Sequence, residues 1–142
     1  MMETKFRVWN GYRIISDEIH RIEFYGNGTW AIIGMEEFNG VNNLKRPYKI
    51  ATSYNKRNKA VLMQYTGLKD KNGVEIYEGD IIKVAFLEKS KLFGETWVGK
   101  VFYNAGSFDI DGEWCQALNL LGDCYIEVIG NIYEHSHLVE GI

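Results

Sequence analysis

The stretch Thr96-Trp97-Val98-Gly99-Lys100-Val101-Phe102-Tyr103-Asn104-Ala105-Gly106-Ser107-Phe108-Asp109-Ile110-Asp111 decides the fold class. Two runs rich in aromatic and β-branched residues flank a glycine-containing turn, which is the pattern of an antiparallel hairpin. Just upstream, Ile81-Ile82-Lys83-Val84-Ala85-Phe86 reads as a strand. Downstream, Tyr125-Ile126-Glu127-Val128-Ile129-Gly130-Asn131-Ile132-Tyr133 reads as a closing one. Trp114–Leu121 is the one stretch with the make-up of a helical turn, and His135–Glu140 suits a short terminal turn.

The N-terminal half keeps the period of two. Phe6-Arg7-Val8-Trp9 alternates, and Ile19–Tyr25 and Thr29–Ile33 flank Gly26-Asn27-Gly28, a hairpin signal. Residues 34–47, with glycines, asparagines and the only proline, read as a loop. Tyr48–Tyr54 and Ala60–Tyr65 read as strands around a polar basic turn, and Thr66–Gly79 as a long irregular loop. A long loop, a strand, three more strands and a helical turn before the last is the element order of an SH3-like barrel. The expected architecture is all-β: an SH3-like barrel over residues 60–134, an N-terminal β subdomain over 1–59 packed on it, and a C-terminal tail over 135–142.

Composition narrows the function classes. The 142 residues are 46% hydrophobic, 14% aromatic and 25% charged, with fifteen glycines and one proline, so a packed core is expected and disorder is not. No apolar run is long enough to cross a bilayer, the first residues do not read as a signal peptide, and two cysteines make no disulfide framework. Those features predict a cytoplasmic protein with no membrane partner. Charge is unevenly placed. Residues 39–69 carry seven basic side chains and no Asp or Glu, whereas residues 70–142 carry five basic and thirteen acidic ones.

No reaction-specific constellation stands out. His135-Ser136-His137 and the cysteines Cys115 and Cys124 lack zinc-ligand spacing, and a solvated tail is the expected setting for the histidine pair. Asp109-Ile110-Asp111-Gly112-Glu113 lacks the full calcium-loop pattern and reads as a turn. Cys115 beside Trp114, with His20, His135 or His137 as a base, reads first as a small buried hydrophobe. The carboxylate pairs Glu36-Glu37 and Glu78 with Asp80 are of a kind every domain offers. Gly26-Asn27-Gly28 precedes a strand, not a helix, so it is no phosphate loop. The expectation is no enzyme, no cofactor and no metal. The serious binding option is nucleic acid, through Lys45, Arg46, Tyr48, Lys49, Tyr54, Lys56, Arg57 and Lys59, since aromatics stack on bases while Lys and Arg meet phosphates. On a regular strand Tyr48, Ile50, Thr52 and Tyr54 would share one face, with Lys49 opposite, and the tyrosines could simply face the core.

A longer signature runs Leu62-Met63-Gln64-Tyr65-Thr66-Gly67-Leu68-Lys69-Asp70-Lys71-Asn72-Gly73-Val74-Glu75-Ile76-Tyr77-Glu78-Gly79-Asp80-Ile81. With Glu127-Val128-Ile129-Gly130-Asn131-Ile132-Tyr133-Glu134 and the opening Lys5-Phe6-Arg7-Val8-Trp9, it resembles the YopX family of small phage and prophage proteins. The resemblance implies an all-β fold of SH3-like barrel character and a phage or prophage origin in a bacterial host, and it assigns no biochemical activity. Gly67, Asp70, Asn72, Gly73, Tyr77, Gly79, Asp80, Gly130 and Asn131 read as structural, because glycines and turn-capping side chains specify backbone geometry. The functional expectation is therefore a non-enzymatic interaction module, homo-oligomeric, with a host or phage protein as partner. The nucleic-acid reading through residues 45–59 stands second and an uncharacterised enzyme last.

Overall fold

The computed structural model describes residues 5–38, 41–55, 60–88, 91, 94–112, 116–118 and 124–140. Those residues form an all-β protein with no α-helix among them. The chain divides into two compact units, Phe6–Leu62 and Met63–Ile142, the second also taking the first five residues.

The first unit holds β1 (Phe6–Trp9), β2 (Ile14–Ile15), β3 (Arg21–Phe24), β4 (Trp30–Phe38) and β5 (Val41–Thr52). β1 and β2 pair antiparallel around a turn in which the Asn10 carboxamide oxygen accepts the N–H groups of Tyr12 and Arg13. β3, β4 and β5 form an antiparallel sheet in that order. The β3–β4 turn is the expected glycine hairpin: Gly28 sits at φ +83°, and Asn27 accepts from both the N–H and the hydroxyl of Thr29. Val8, Ile15, Ile32 and Ala60 are fully or almost fully buried, with Ile22, Trp30, Ile50 and Ala51 against them. Each such Ile or Val side chain contributes about 1.5–3 kcal/mol by leaving water.

The loop expected over residues 34–47 is a strand pair instead. β4 runs on to Phe38 and β5 starts at Val41, with Met35 opposite Pro47, Glu36 opposite Arg46 and Glu37 opposite Lys45. The sequence hides β5 here because water reaches both faces of its stretch from Leu44 to Lys49. Leu44, Lys45, Arg46, Pro47, Tyr48 and Lys49 are all exposed, so no apolar alternation is imposed. Pro47 is tolerated because β5 is the last strand of its sheet. The proline nitrogen faces the open side, where no ladder N–H is lost.

The chain passes into the second unit within β6 (Val61–Lys69), followed by β7 (Glu75–Tyr77), β8 (Asp80–Phe86), β9 (Thr96–Asn104), β10 (Ser107–Gly112), β11 (Gln116–Ala117) and β12 (Cys124–Asn131). The irregular loop expected over 66–79 is a hairpin of β6 and β7, with Tyr65 opposite Tyr77 and Lys69 opposite Glu75. Irregularity is confined to a bulge between those pairs, where Gly67 takes φ +87°. The next five strands make one sheet in the order β11-β10-β9-β8-β12, all antiparallel. Its inner face buries Ile82, Val84, Val101, Ile110 and Leu118 with Ile76, and Phe86, Trp97 and Cys124 pack on them. Asp109-Ile110-Asp111-Gly112 lies inside β10 rather than in a turn or calcium loop, with Ile110 facing the core. Gln116–Ala117 of the expected helical turn is a short strand paired to β10, and Trp114 and Cys115 lie outside the described residues.

The β9–β10 turn carries a misfit. Ala105 holds φ +48° and Gly106 φ +92°, the two positive values of a type I′ turn, in which a side chain other than Asn, Asp or Gly is strained. Ala105→Asn is expected to stabilise the protein by about 0.5–1 kcal/mol. The readout is a higher urea midpoint with an unchanged slope. A lower midpoint would show that the turn is not of this type.

Candidate interaction surface and the signature residues

The signature residues lie in the second unit and work as joints in its backbone. Asp70 caps the β6–β7 turn: one carboxylate oxygen accepts the N–H groups of Asn72 (2.8 Å) and Val74 (2.9 Å). Its other oxygen accepts the N–H of Val128 in β12 at 2.9 Å, and the Lys71 N–H reaches Ile126 O at 2.9 Å. Gly73 takes φ +81° within that turn. Burial raises the Asp70 pKa, but the three backbone N–H bonds and the Lys71 charge outweigh it, leaving the carboxyl below its ordinary value of 3.8.

Tyr77, Gly79 and Asp80 form the second joint. The buried Asp80 carboxylate accepts the Tyr77 N–H at 2.8 Å. Glu78 and Gln64 exchange two bonds, Glu78 N–H to Gln64 O and Gln64 N–H to the Glu78 carboxylate. Gly79, at φ +82°, donates to Val101 O and accepts from the Ile132 N–H, both at 2.8 Å. The third joint is at the end of β12. The Asn131 side-chain oxygen accepts the N–H groups of Tyr133 and Glu134, and its amide nitrogen donates to the Glu134 carboxylate.

His135 is part of this last joint rather than of a solvated tail. Its Nδ1 accepts the Asn131 N–H at 3.1 Å and its own N–H returns to Asn131 O at 2.9 Å, ahead of a 3₁₀ turn at Ser136–Leu138. The accepting Nδ1 carries no proton, so the neutral tautomer protonated at Nε2 fits the site. A methyl group at Gly130 would lie 2.7–2.9 Å from Nδ1, Cγ and Cβ of this residue. Gly130→Ala is expected to cost about 2 kcal/mol, since overpacking typically costs 1–3. Adding His135→Ala removes the obstructing ring, so the double variant should lose less than the sum of the two singles in urea unfolding. Simple additivity would refute the contact.

The basic-aromatic residues lie in the first unit. Lys45, Arg46, Tyr48 and Lys49 are exposed on β5 and Tyr54 follows it, while Lys56, Arg57 and Lys59 lie outside the described residues. A bulge between Ile32 and Ile33 of β4 leaves Ile50 as the extra residue on β5. Period-two reasoning fails across it. Lys49 is not opposite Tyr54: its ammonium donates to the Tyr54 hydroxyl at 2.9 Å and stands 5.6 Å from the ring centre. Neither tyrosine turns into the core. Tyr54 is 46% exposed, and Tyr48, 38% exposed, lies over Gly34, whose missing Cβ leaves room for the ring.

Arg21 and Glu23 of β3 share this outer face with Lys49, because Arg21, Ile33 and Lys49 are in register across the three strands. Arg21 binds Glu23 at 2.9 Å and the Tyr25 hydroxyl donates to Glu23 at 3.2 Å. The bond to Tyr54, then the fields of Tyr54 and Tyr25, hold the Lys49 ammonium above the usual lysine range. The bond from Arg21 holds Glu23 below the usual carboxylate range. Both shifts favour the charged forms of Lys49 and Glu23. Basic charge on β5 is also met by acid on β4, with Arg46 Nε 2.7 Å from Glu36 and Lys45 opposite Glu37.

A cavity of about 160 Å³ in the same unit is lined by Asn10, Tyr12, Ile50, Ala51, Thr52 and Asn55, none of them charged. Among the described residues no three His, Cys, Asp or Glu side chains group as a metal site, and no helix is long and apolar enough to cross a membrane.

An all-β chain whose distinctive residues fasten turns to strands is the class that this geometry defines. Residues 5–140 match the family model described as YopX protein, and the chain belongs to that family. It is similar over 99% of its length to the crystal structure of protein yopX from Bacillus subtilis, with 26% identity, all of that chain covered and a TM-score of 0.73. It also resembles a crystal structure from Enterococcus faecalis, with 27% identity, 99% of this chain and 100% of that chain covered, and a TM-score of 0.59. No functionally curated protein matches the chain.

Proposed function

We propose that the protein is a non-enzymatic interaction module that works as a homo-oligomer, encoded by a phage or prophage and acting in the cytoplasm of a bacterial host. The observation that carries the binding role is the solvent exposure of every residue from Leu44 to Lys49 in a regular strand. Such a strand leaves much of both its faces to solvent, and the neighbouring outer face offers Tyr25, Tyr54, Arg21 and Lys49. Tyrosine and arginine are the residue types that dominate protein interfaces. The non-enzymatic reading is supported by the signature carboxylates of Asp70 and Asp80, which are already engaged with backbone N–H groups. The phage origin rests on family resemblance. An SH3-like barrel for the second unit is supported by the β8–β9–β10 meander with β12 returning beside β8.

Nucleic acid through residues 45–59 is the second reading, favoured by the Lys49–Tyr54 pair and weakened by Glu36 and Glu37 against the basic strand. Light scattering of the purified protein, with absorbance at 260 and 280 nm recorded before and after nuclease treatment, separates the two. A defined oligomer free of nucleic acid is expected. A monomer that binds a labelled oligonucleotide at 50 mM salt and releases it at 200 mM would overturn the proposal in favour of the second reading.

A further inference from the structure

We infer that the outer half of the β4–β5 hairpin is a self-recognition element, in which the acidic edge of β4 in one copy adds to the basic edge of β5 in a second copy, head to tail. This inference rests on the oligomeric reading above and names its contact. β3 pairs with β4 only from Trp30 to Ile33, so Gly34–Phe38 has β5 on one side and no described strand on the other. β5 is the end strand of its sheet, so its far side also has no described strand beside it.

The backbone groups on these edges follow from Pro47. A proline has no N–H, so in an antiparallel ladder the Met35–Pro47 pair is of the non-hydrogen-bonded kind, with backbone groups turned away from each other. Two residues along, the Glu37–Lys45 pair has the same parity. Met35 and Glu37 therefore point N–H and C=O to the open side of β4. Lys45 does so on the open side of β5, where Pro47 adds a carbonyl. A strand added there, with Glu37 of the second copy against Lys45 and its Met35 against Pro47, repeats the register inside the hairpin.

Charge selects this arrangement over the alternatives. β4 beyond Ile33 carries Glu36 and Glu37 and no base, while β5 carries Lys45, Arg46 and Lys49 and no acid. Repeating the register gives rows that alternate Glu36, Arg46, Glu36, Arg46 and Glu37, Lys45, Glu37, Lys45 across the joined sheets. The two symmetric pairings, β4 on β4 and β5 on β5, set Glu against Glu or Lys and Arg against Lys and Arg, which is unfavourable across a strand pair. Each copy keeps one edge of either sign, so head-to-tail addition continues until a ring closes or a filament grows.

The test uses sedimentation velocity of the full chain over a hundredfold concentration range, at 50 and 500 mM salt. The wild type should assemble, and assemble less at the higher salt. Glu36→Lys with Glu37→Lys makes both edges basic, and Lys45→Glu with Arg46→Glu makes both acidic. Each pair of substitutions should weaken self-association at least tenfold. Mixing the two variants should restore assembly, as should all four substitutions in one chain, and either restoration shows that the variant chains are folded. A monomeric wild type overturns both this contact and the oligomeric reading. An assembling wild type whose size survives both pairs of substitutions overturns this contact alone.

Discussion

Asp70→Ala is expected to remove about 3–5 kcal/mol of stability, because hydrogen bonds to a charged group contribute about 1.5–3 kcal/mol each and the Asp70 side chain is itself buried. Three backbone donors lose their acceptor together: Asn72 and Val74 in the turn, and Val128 in β12. For a domain of ordinary stability that is a large part of the total. Asp70→Asn is the more discriminating change. It keeps the shape but replaces one accepting oxygen with an N–H₂ group that faces a donor, so it also should destabilise, by about 2 kcal/mol. Since the folded pKa lies below the ordinary 3.8, the carboxylate contributes its stabilisation fully above that value. The contribution disappears as the pH falls through the lower folded pKa. Urea unfolding from pH 7 to pH 2 should therefore show a steeper acid loss for wild type than for Asp70→Asn. Parallel curves would mean that Asp70 is not the acceptor described.

The other large effect is expected at Gly79. Alanine there must hold φ +82°, which costs about 1–2 kcal/mol for any residue with a Cβ. Its methyl would also lie 3.2 Å from the Met63 sulfur and 3.2 Å from a Tyr133 ring carbon. A shift that relieves the crowding would pull on the bonds from Gly79 to Val101 and from Ile132 to Gly79, which tie three strands at one residue. A total loss of about 2–4 kcal/mol follows. Gly73→Ala is the control, since Gly73 has φ +81° but nothing within 4 Å of its missing methyl. It should cost only the conformational part. Equal losses at both positions would show that crowding at Gly79 contributes nothing.

The sequence made these joints visible as turn chemistry and left their far partners hidden. Asp70-Lys71-Asn72-Gly73 announces a capped turn by itself. That the same carboxylate also holds Val128 depends on a residue 58 positions away, to which no local pattern points. Four strands of the five-stranded sheet were legible because one face is buried and side chains alternate, whereas β11, only two residues long, is too short to show a period and read as part of a helical turn. Leu44–Lys49 was illegible for the opposite reason: with water on both sides, a strand needs no apolar alternation. The basic residues of the interaction surface were readable as a cluster, but their facing was not. One extra residue at Ile50 moved Lys49 next to Tyr54, and the acids that answer Lys45 and Arg46 came from another strand.

The reach of Asp70 to Val128 also sets an order in time. Phe6–Leu62 is a continuous run, so its core can close as soon as that length has left the ribosome. The second unit has no such freedom. Its turn at Asp70 and its crossing at Gly79 both wait for β12 and the residues just after it, which are made after β6 to β10. At a synthesis rate of about 5–20 residues per second, β6 to β10 stay without their closing strand for seconds. During that interval β8 has β9 on one side and an open edge on the side that β12 will take.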